Sequence, residues 1–174
     1  MSSQSAGQRV GRVMLVLAWA AGLWLAAHFF GVWEDARFNP NREPVSRHTS
    51  AYVEVELLGD GRGHYVASGE INRAPVRFLL DTGATDVAIP GALAEKLGLK
   101  PGARVTVRTA NGLSEGYRTQ LDELRIGDIV LHDVRALAAS GFDGDQVLLG
   151  MSALRQLEFT QRDGRLLLRH YRDN

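Results

Sequence analysis

The longest hydrophobic stretch of the chain runs from Val13 to Trp33 and reads VMLVLAWAAGLWLAAHFFGVW, without one Asp, Glu, Lys or Arg. As a helix rising ~1.5 Å per residue, such a run spans the hydrocarbon core of a bilayer. A core helix of a globular domain would normally keep a polar face, and this run has none. Arg9 and Arg12 precede it, and Glu34 and Asp35 follow it. The positive-inside tendency therefore predicts a short cytoplasmic N-terminus over 1–12, a transmembrane anchor over 13–33, and the remainder across the membrane. Ala18-Trp19-Ala20 resembles a signal-peptide cleavage site, but the apolar run continues well past it, so an uncleaved anchor is expected.

Residues 34–50 read EDARFNPNREPVSRHTS and show neither helical nor strand periodicity, which predicts a linker. From Ala51 onward the pattern becomes strand-like and is broken by frequent turns. Runs are expected around Tyr52–Leu57, His64–Ala67, Pro75–Leu80, Val87–Pro90, Val105–Thr109, Glu115–Ile126, Ile129–Ala138 and Val147–Leu149. A closing hairpin is expected around Asp163-Gly164, and Ala110-Asn111-Gly112 carries an Asn-Gly hairpin signal. Two short helices are predicted over 91–99 and 151–157. Many short strands with two short helices describe one mostly-β, barrel-like domain over 51–174.

Composition narrows the chemistry. The 174 residues hold 20 basic and 20 acidic side chains, so no cationic excess argues for nucleic acid. The absence of cysteine removes disulfides, thiolate metal sites and cysteine nucleophiles. No two of His28, His48, His64, His132 and His170 stand four apart as a helical metal pair would, and no metal or other cofactor is expected. Asp143 and Asp145 lie in a Gly-containing loop and read as turn formers.

The informative segment is Phe78-Leu79-Leu80-Asp81-Thr82-Gly83-Ala84-Thr85. An apolar strand delivers the Asp81 carboxylate to its end, and a small hydroxyl residue and a glycine follow at once. Gly83 is expected to take a positive φ and to let backbone N–H groups approach the carboxylate. Thr82 offers a hydroxyl for a buried hydrogen bond. Ala84 and Thr85 are small enough for a second copy of the loop to pack nearby.

This segment resembles the active-site signature of the retropepsin-like aspartic proteases, two hydrophobic residues followed by Asp-Thr-Gly-Ala/Ser. Val147-Leu148-Leu149-Gly150 and the helix expected after it resemble that family's second hydrophobic-hydrophobic-Gly element. The hairpin tip Ala110, Asn111 and Gly112 lies between them, where the family places its substrate-covering flap. The resemblance covers about 52–169 and extends to bacterial single-domain members with one N-terminal membrane helix. It implies a single-lobed acid-protease barrel with Asp81 as catalytic residue, supported by Thr82, Gly83, Ala84 and Thr85. It further implies a peptide or protein substrate and, with the anchor, a single-pass protein of a bacterial inner membrane with its domain on the periplasmic side.

In this family two aspartates share one proton around a water, and the chain carries one such motif. A second copy must then supply the other aspartate, which predicts a symmetric homodimer. Two other readings compete with this one. A catalytically inactive peptide-binding module on the membrane would keep the fold but has no use for the Asp81 carboxylate. Phosphoryl transfer from an aspartate would want a second acid two residues on, where Gly83 stands.

Overall fold

In the computed structural model, residues 3–109, 112–140 and 144–172 are described. The chain divides into two compact units, one ending at Phe38 and one beginning at Asn39. The first is a single helix, α1 (Ser3–Phe38). Within it Val10–Gly31, 22 residues of mean hydropathy 1.9, is long and apolar enough to cross a membrane by length and composition. The His28 ring stacks on Trp24, with centroids 5.7 Å apart.

The second unit contains two sheets. The smaller has the order β1 (Val45–His48), β2 (Tyr52–Leu58), β11 (Arg165–Tyr171), β10 (Glu158–Arg162), with every pairing antiparallel. The larger runs β3 (Val66–Ile71), β4 (Ala74–Leu80), β9 (Gln146–Leu149), β5 (Val87–Pro90), β8 (Ile129–Ala139), β7 (Gly112–Ile126), β6 (Arg104–Thr109). It curls back on itself where Glu70 and Ile71 of β3 meet Arg125 and Leu124 of β7. The mostly-β, barrel-like expectation is met in this curled sheet.

Two pairings in the large sheet are parallel, β4 with β9 and β5 with β8. Parallel strands are usually covered on both faces, and their sequences become continuously apolar. Phe78, Val147 and Leu149 are fully buried accordingly, and Ile71, Leu121 and Leu154 complete the centre of the core. The helices α2 (Gly91–Lys96) and α3 (Met151–Leu154) are shorter than expected. α2 stops because Gly98 takes φ 65 and its N–H turns back to Glu95.

The stretch expected as a linker over 34–50 is corrected on both sides. α1 continues through Phe38, and Val45–His48 is the edge strand β1. Between them Asn39 and Asn41 are buried. The Asn41 amide donates to Val66 O at 2.7 Å and Leu58 O at 2.9 Å and accepts from Leu58 N at 2.7 Å. Asn39 Nδ2 reaches Ser68 Oγ at 2.9 Å. These amides satisfy backbone groups where β2 and β3 diverge, and such satisfaction is obligatory for buried peptide groups. An edge strand held by backbone pairing needs no apolar alternation, so hydrophobic periodicity did not reveal it.

Candidate active site

Strand β4 delivers Asp81. Its partner across the parallel ladder is β9, with Leu79 beside Leu148 and Leu80 beside Leu149. The ladder extends one step further, because Asp81 N donates to Leu149 O at 3.1 Å. The two elements that stand far apart in sequence, Leu80-Asp81 and Leu149-Gly150, are therefore adjacent in space.

Gly150 explains its own identity. A Cβ placed there would lie 2.3 Å from Asp86 O and 2.8 Å from Ala84 O, closer than any side chain tolerates. That contact lets the loop after Asp81 sit over the start of α3. Met151 N donates to Ala84 O at 2.8 Å, and Ser152 N donates to Thr85 O at 3.0 Å. The first N–H groups of a helix lack intrahelical partners, so loop carbonyls cap α3 while α3 fixes the loop.

Ser152, which the sequence reading missed, locks the arrangement. Its Oγ accepts from Val87 N at 3.0 Å and donates to Arg135 O at 2.7 Å, tying α3 to β5 and β8. A serine directly after a helix-opening residue was the only available signal, and that signal is weak by itself. Asp86 was also missed. Its Oδ1 is buried without a hydrogen-bond donor, and the Arg135 guanidinium stands 3.6 Å away as an ion pair.

Within the loop, Gly83 N donates to Asp81 Oδ1 at 2.9 Å, and Ala84 N donates to Asp81 O at 3.2 Å. One carboxylate oxygen is thus oriented by a backbone N–H, as expected. The positive φ expected of Gly83 is not observed. Space is nevertheless tight there, since a Cβ would sit 3.1 Å from Asp81 Oδ1 and would press on that carboxylate. Thr82 also departs from expectation: it is exposed, and its hydroxyl makes no hydrogen bond among the described residues. Asp81 and Ala84 are half-buried, while Thr82, Gly83 and Thr85 face outward.

Asp81 opens into a cleft of about 270 Å³ lined by Tyr65, Leu80, Thr82, Leu154 and Phe159 among others. The lining mixes these apolar side chains with polar groups from Thr82 and Gln161, so the half-buried Asp81 carboxylate stands in a cleft of mixed character. The hairpin of β6 and β7 exists, with Arg104 paired to Tyr117 at its base and Thr109 to Gly112 at its end. Gly112 takes φ 111 but stands in this ladder rather than at the tip. Ala110 and Asn111 lie outside the described residues. Among the described residues, none from this hairpin lines the Asp81 cleft.

The family profile described as "gag-polyprotein putative aspartyl protease" matches residues 67–156, spanning Asp81 and Gly150 together. An uncharacterised protein from the cobV 5′ region of Sinorhizobium sp is 36% identical over 125 residues, 70% of this chain and 54% of its own length. An uncharacterised protein of Rickettsia prowazekii is 31% identical over 131 residues, 74% of this chain and 56% of its own. The chain thus spans about half the length of the curated relatives it matches. A crystal structure of a retropepsin-like aspartic protease from Rickettsia conorii superimposes with a TM-score of 0.59 at 25% identity, covering 72% of this chain and 98% of that one. On the profile match, the fold and the joined Asp81 and Gly150 elements, the chain belongs to the retropepsin-like aspartic protease family.

Proposed function

We propose that this chain is a membrane-anchored aspartic endopeptidase whose catalytic pair consists of two Asp81 residues in a homodimer. The observation that carries the proposal is the state of the Asp81 loop. Its backbone is pinned by Leu149, Ala84 and Met151, yet Thr82, Gly83 and Thr85 are exposed, and among the described residues the Thr82 hydroxyl makes no hydrogen bond. A rigid loop with small outward residues suits a surface completed by a second copy. Membership of the family supports hydrolysis of peptide bonds. The apolar span Val10–Gly31 supports anchoring, and the arginines before it support a periplasmic domain.

The chemistry follows from placing two carboxylates about 3 Å apart, where they cannot both be ionised and share one proton. The ionised Asp81 takes a proton from a water held between the pair, and the water oxygen attacks the peptide carbonyl carbon. The protonated Asp81 donates to the carbonyl oxygen as it gains charge. Collapse of the tetrahedral species breaks the C–N bond, and a carboxyl proton passes to the leaving nitrogen. Gly83 N–H holds Asp81 Oδ1 in one orientation throughout. The end of the β6–β7 hairpin, with Gly112 in its last ladder pair and Ala110 and Asn111 beyond it in sequence, would cover the substrate and exclude water.

The test uses the full chain in detergent micelles with a general peptide substrate. Cleavage should be blocked by a peptide that mimics the tetrahedral species. Asp81→Asn should lower the rate by about 10³-fold or more, since it removes both the base and the acid. At low concentration the rate should rise with the square of protein. A rate linear in a stable monomer, or full activity in Asp81→Asn, would overturn the proposal.

A further inference from the structure

The seven residues between β2 and β3, Gly59-Asp60-Gly61-Arg62-Gly63-His64-Tyr65, include three glycines, two of them at positive φ. Such a segment has much conformational freedom to lose on folding. It nevertheless forms part of the site. Gly63 and Tyr65 line the Asp81 cleft, and Tyr65 O accepts from Leu80 N at 3.0 Å, one residue before Asp81. A wall built from so free a segment needs a hold from outside it.

One side chain closes both ends of the segment. β1 pairs with β2 only as far as Glu56, so the Leu58 peptide groups on that side lie beyond the ladder. Asn41 takes them, accepting from Leu58 N at 2.7 Å and donating to Leu58 O at 2.9 Å. The same amide donates to Val66 O at 2.7 Å, on the first residue of β3. The main chain of Asn41 runs parallel to β3 beside Ala67, and Ser68 N donates to Asn41 O at 2.9 Å. A primary amide offers an acceptor oxygen and two N–H donors in one plane, and this pattern uses all of them. An aspartate lacks the donors, and a serine has only one.

We propose that Asn41 is a positioning residue of the active site, which does not line the cleft but, by tying Leu58 to Val66, fixes the 59–65 wall against which substrate binds. This rests on the aspartic-protease reading above and adds to it that the segment directly after α1 belongs to the site. Asn41 stands three residues beyond Phe38, the last residue of that helix. Asp81 itself is held from elsewhere, by Leu149 O on its N–H and by Gly83 N on its carboxylate. Loss of the Asn41 amide therefore moves the wall and leaves the carboxylate in place. The cost falls on substrate binding more than on the chemical step.

The test uses the full chain in micelles, with a general peptide substrate and with amide hydrogen exchange. Asn41→Ala should raise KM about tenfold and leave kcat within about twofold of wild type. Exchange should quicken over 58–66 and at Leu80, while the Asp81 N–H, bonded to Leu149 O, keeps its wild-type rate. Asn41→Ser, which keeps one donor and one acceptor, should show the same split at smaller size and serves where the alanine variant does not fold. Asn39→Ala is the control. Its amide is as deeply buried, but it bonds Ser68 Oγ and Asn41 N and neither end of the segment. That variant should leave KM within about twofold, whatever stability it loses. A fall in kcat with KM unchanged, equal effects of Asn39→Ala and Asn41→Ala on KM, or exchange that quickens alike at Leu80 and Asp81 would overturn the proposal. If wild type cleaves no peptide, the catalytic reading fails and exchange alone decides. Quickening confined to 58–66 and Leu80 then keeps Asn41 as the hold on the cleft wall, and its absence removes that role.

Discussion

Both sheets of the domain bury apolar residues in one core, Val55, Leu57 and Leu168 on the small sheet included, but they differ in what lies across their ladders. In the large sheet, β4 and β9 are buried around Phe78, Val147 and Leu149, and the Asp81 loop grows directly from their ends. In the small sheet, β2 and β11 carry Glu54, Glu56, Arg165 and Arg169 across their shared ladder. Arg169 bonds Glu54 at 2.7 Å, lies 5.2 Å over the Tyr52 ring, and also reaches Glu158. The hydrogen bond that Arg169 donates to Glu54 holds the guanidinium charged beyond its ordinary range, with burial opposing. Apolar burial and close backbone contact fix one position of Asp81. Partly exposed ion pairs contribute less and tolerate rearrangement. Precision of the catalytic group therefore belongs to the large sheet, and adaptable surface belongs to the small one.

The strongest break in this comparison is Gly150→Ala. The added methyl meets the backbone oxygens of Asp86 and Ala84, which cannot swing away as a side chain would. Overpacking of this kind costs about 3 kcal/mol, and relief requires moving the Asp81 loop off α3. Denaturant unfolding should show that loss together with a collapse of peptide cleavage. Unchanged stability would mean that the loop and α3 are not in register through Gly150.

Ser152→Ala is a gentler version of the same cut. It leaves Val87 N–H and Arg135 C=O without the hydroxyl they share. Orphaned, partly buried backbone groups cost about 1–2 kcal/mol. The expected readout is a modest fall in the unfolding midpoint with cleavage retained, whereas Ser152→Thr, which keeps the hydroxyl, should lose less. Equal losses in both variants would point to packing rather than hydrogen bonding.

These residues also mark how far the sequence could be read. Phe78-Leu79-Leu80 and Val147-Leu148-Leu149 were legible because parallel strands buried on both faces become unbroken apolar runs. Asp81 and Gly150 were legible because a carboxylate and a glycine at the ends of such runs have few other uses. The positive φ expected of Gly83 is absent, and what sets the position apart is closeness, since an added Cβ would lie 3.1 Å from Asp81 Oδ1. β1 was illegible: Val45–His48 shows one partly buried residue among exposed ones, and nothing alternates. The Asn41 clasp was hidden likewise, because an amide that satisfies distant backbone groups leaves no local pattern. The Asn72-Arg73 turn joins β3 to β4 at φ 48 and 68 with no glycine, yet its position was still clear from the strands on either side.

The smallest expected effect lies where the two sheets meet, in the turn between β2 and β3. Asp60 Oδ1 accepts from Arg62 N at 2.7 Å and His64 N at 3.1 Å, and Oδ2 stands 3.3 Å from the His64 ring. Burial alone would raise the Asp60 carboxyl, but these hydrogen bonds outweigh it and hold it below the ordinary carboxylate value. A carboxyl held low in the folded state stabilises the fold above its unfolded value, near 4, and that contribution is lost as pH falls through the folded value. The turn carries Gly63 and Tyr65, which line the Asp81 cleft, so its loosening reaches the site. Asp60→Asn keeps an oxygen acceptor for the two N–H groups and removes the charge. Near neutral pH the variant should therefore be slightly less stable than wild type, and the gap should close as pH drops below about 4. Thermal unfolding of both proteins across that range measures the gap. Parallel curves would show that the turn does not favour the charged carboxylate, and the junction would then depend on the Asn41 clasp and backbone pairing alone.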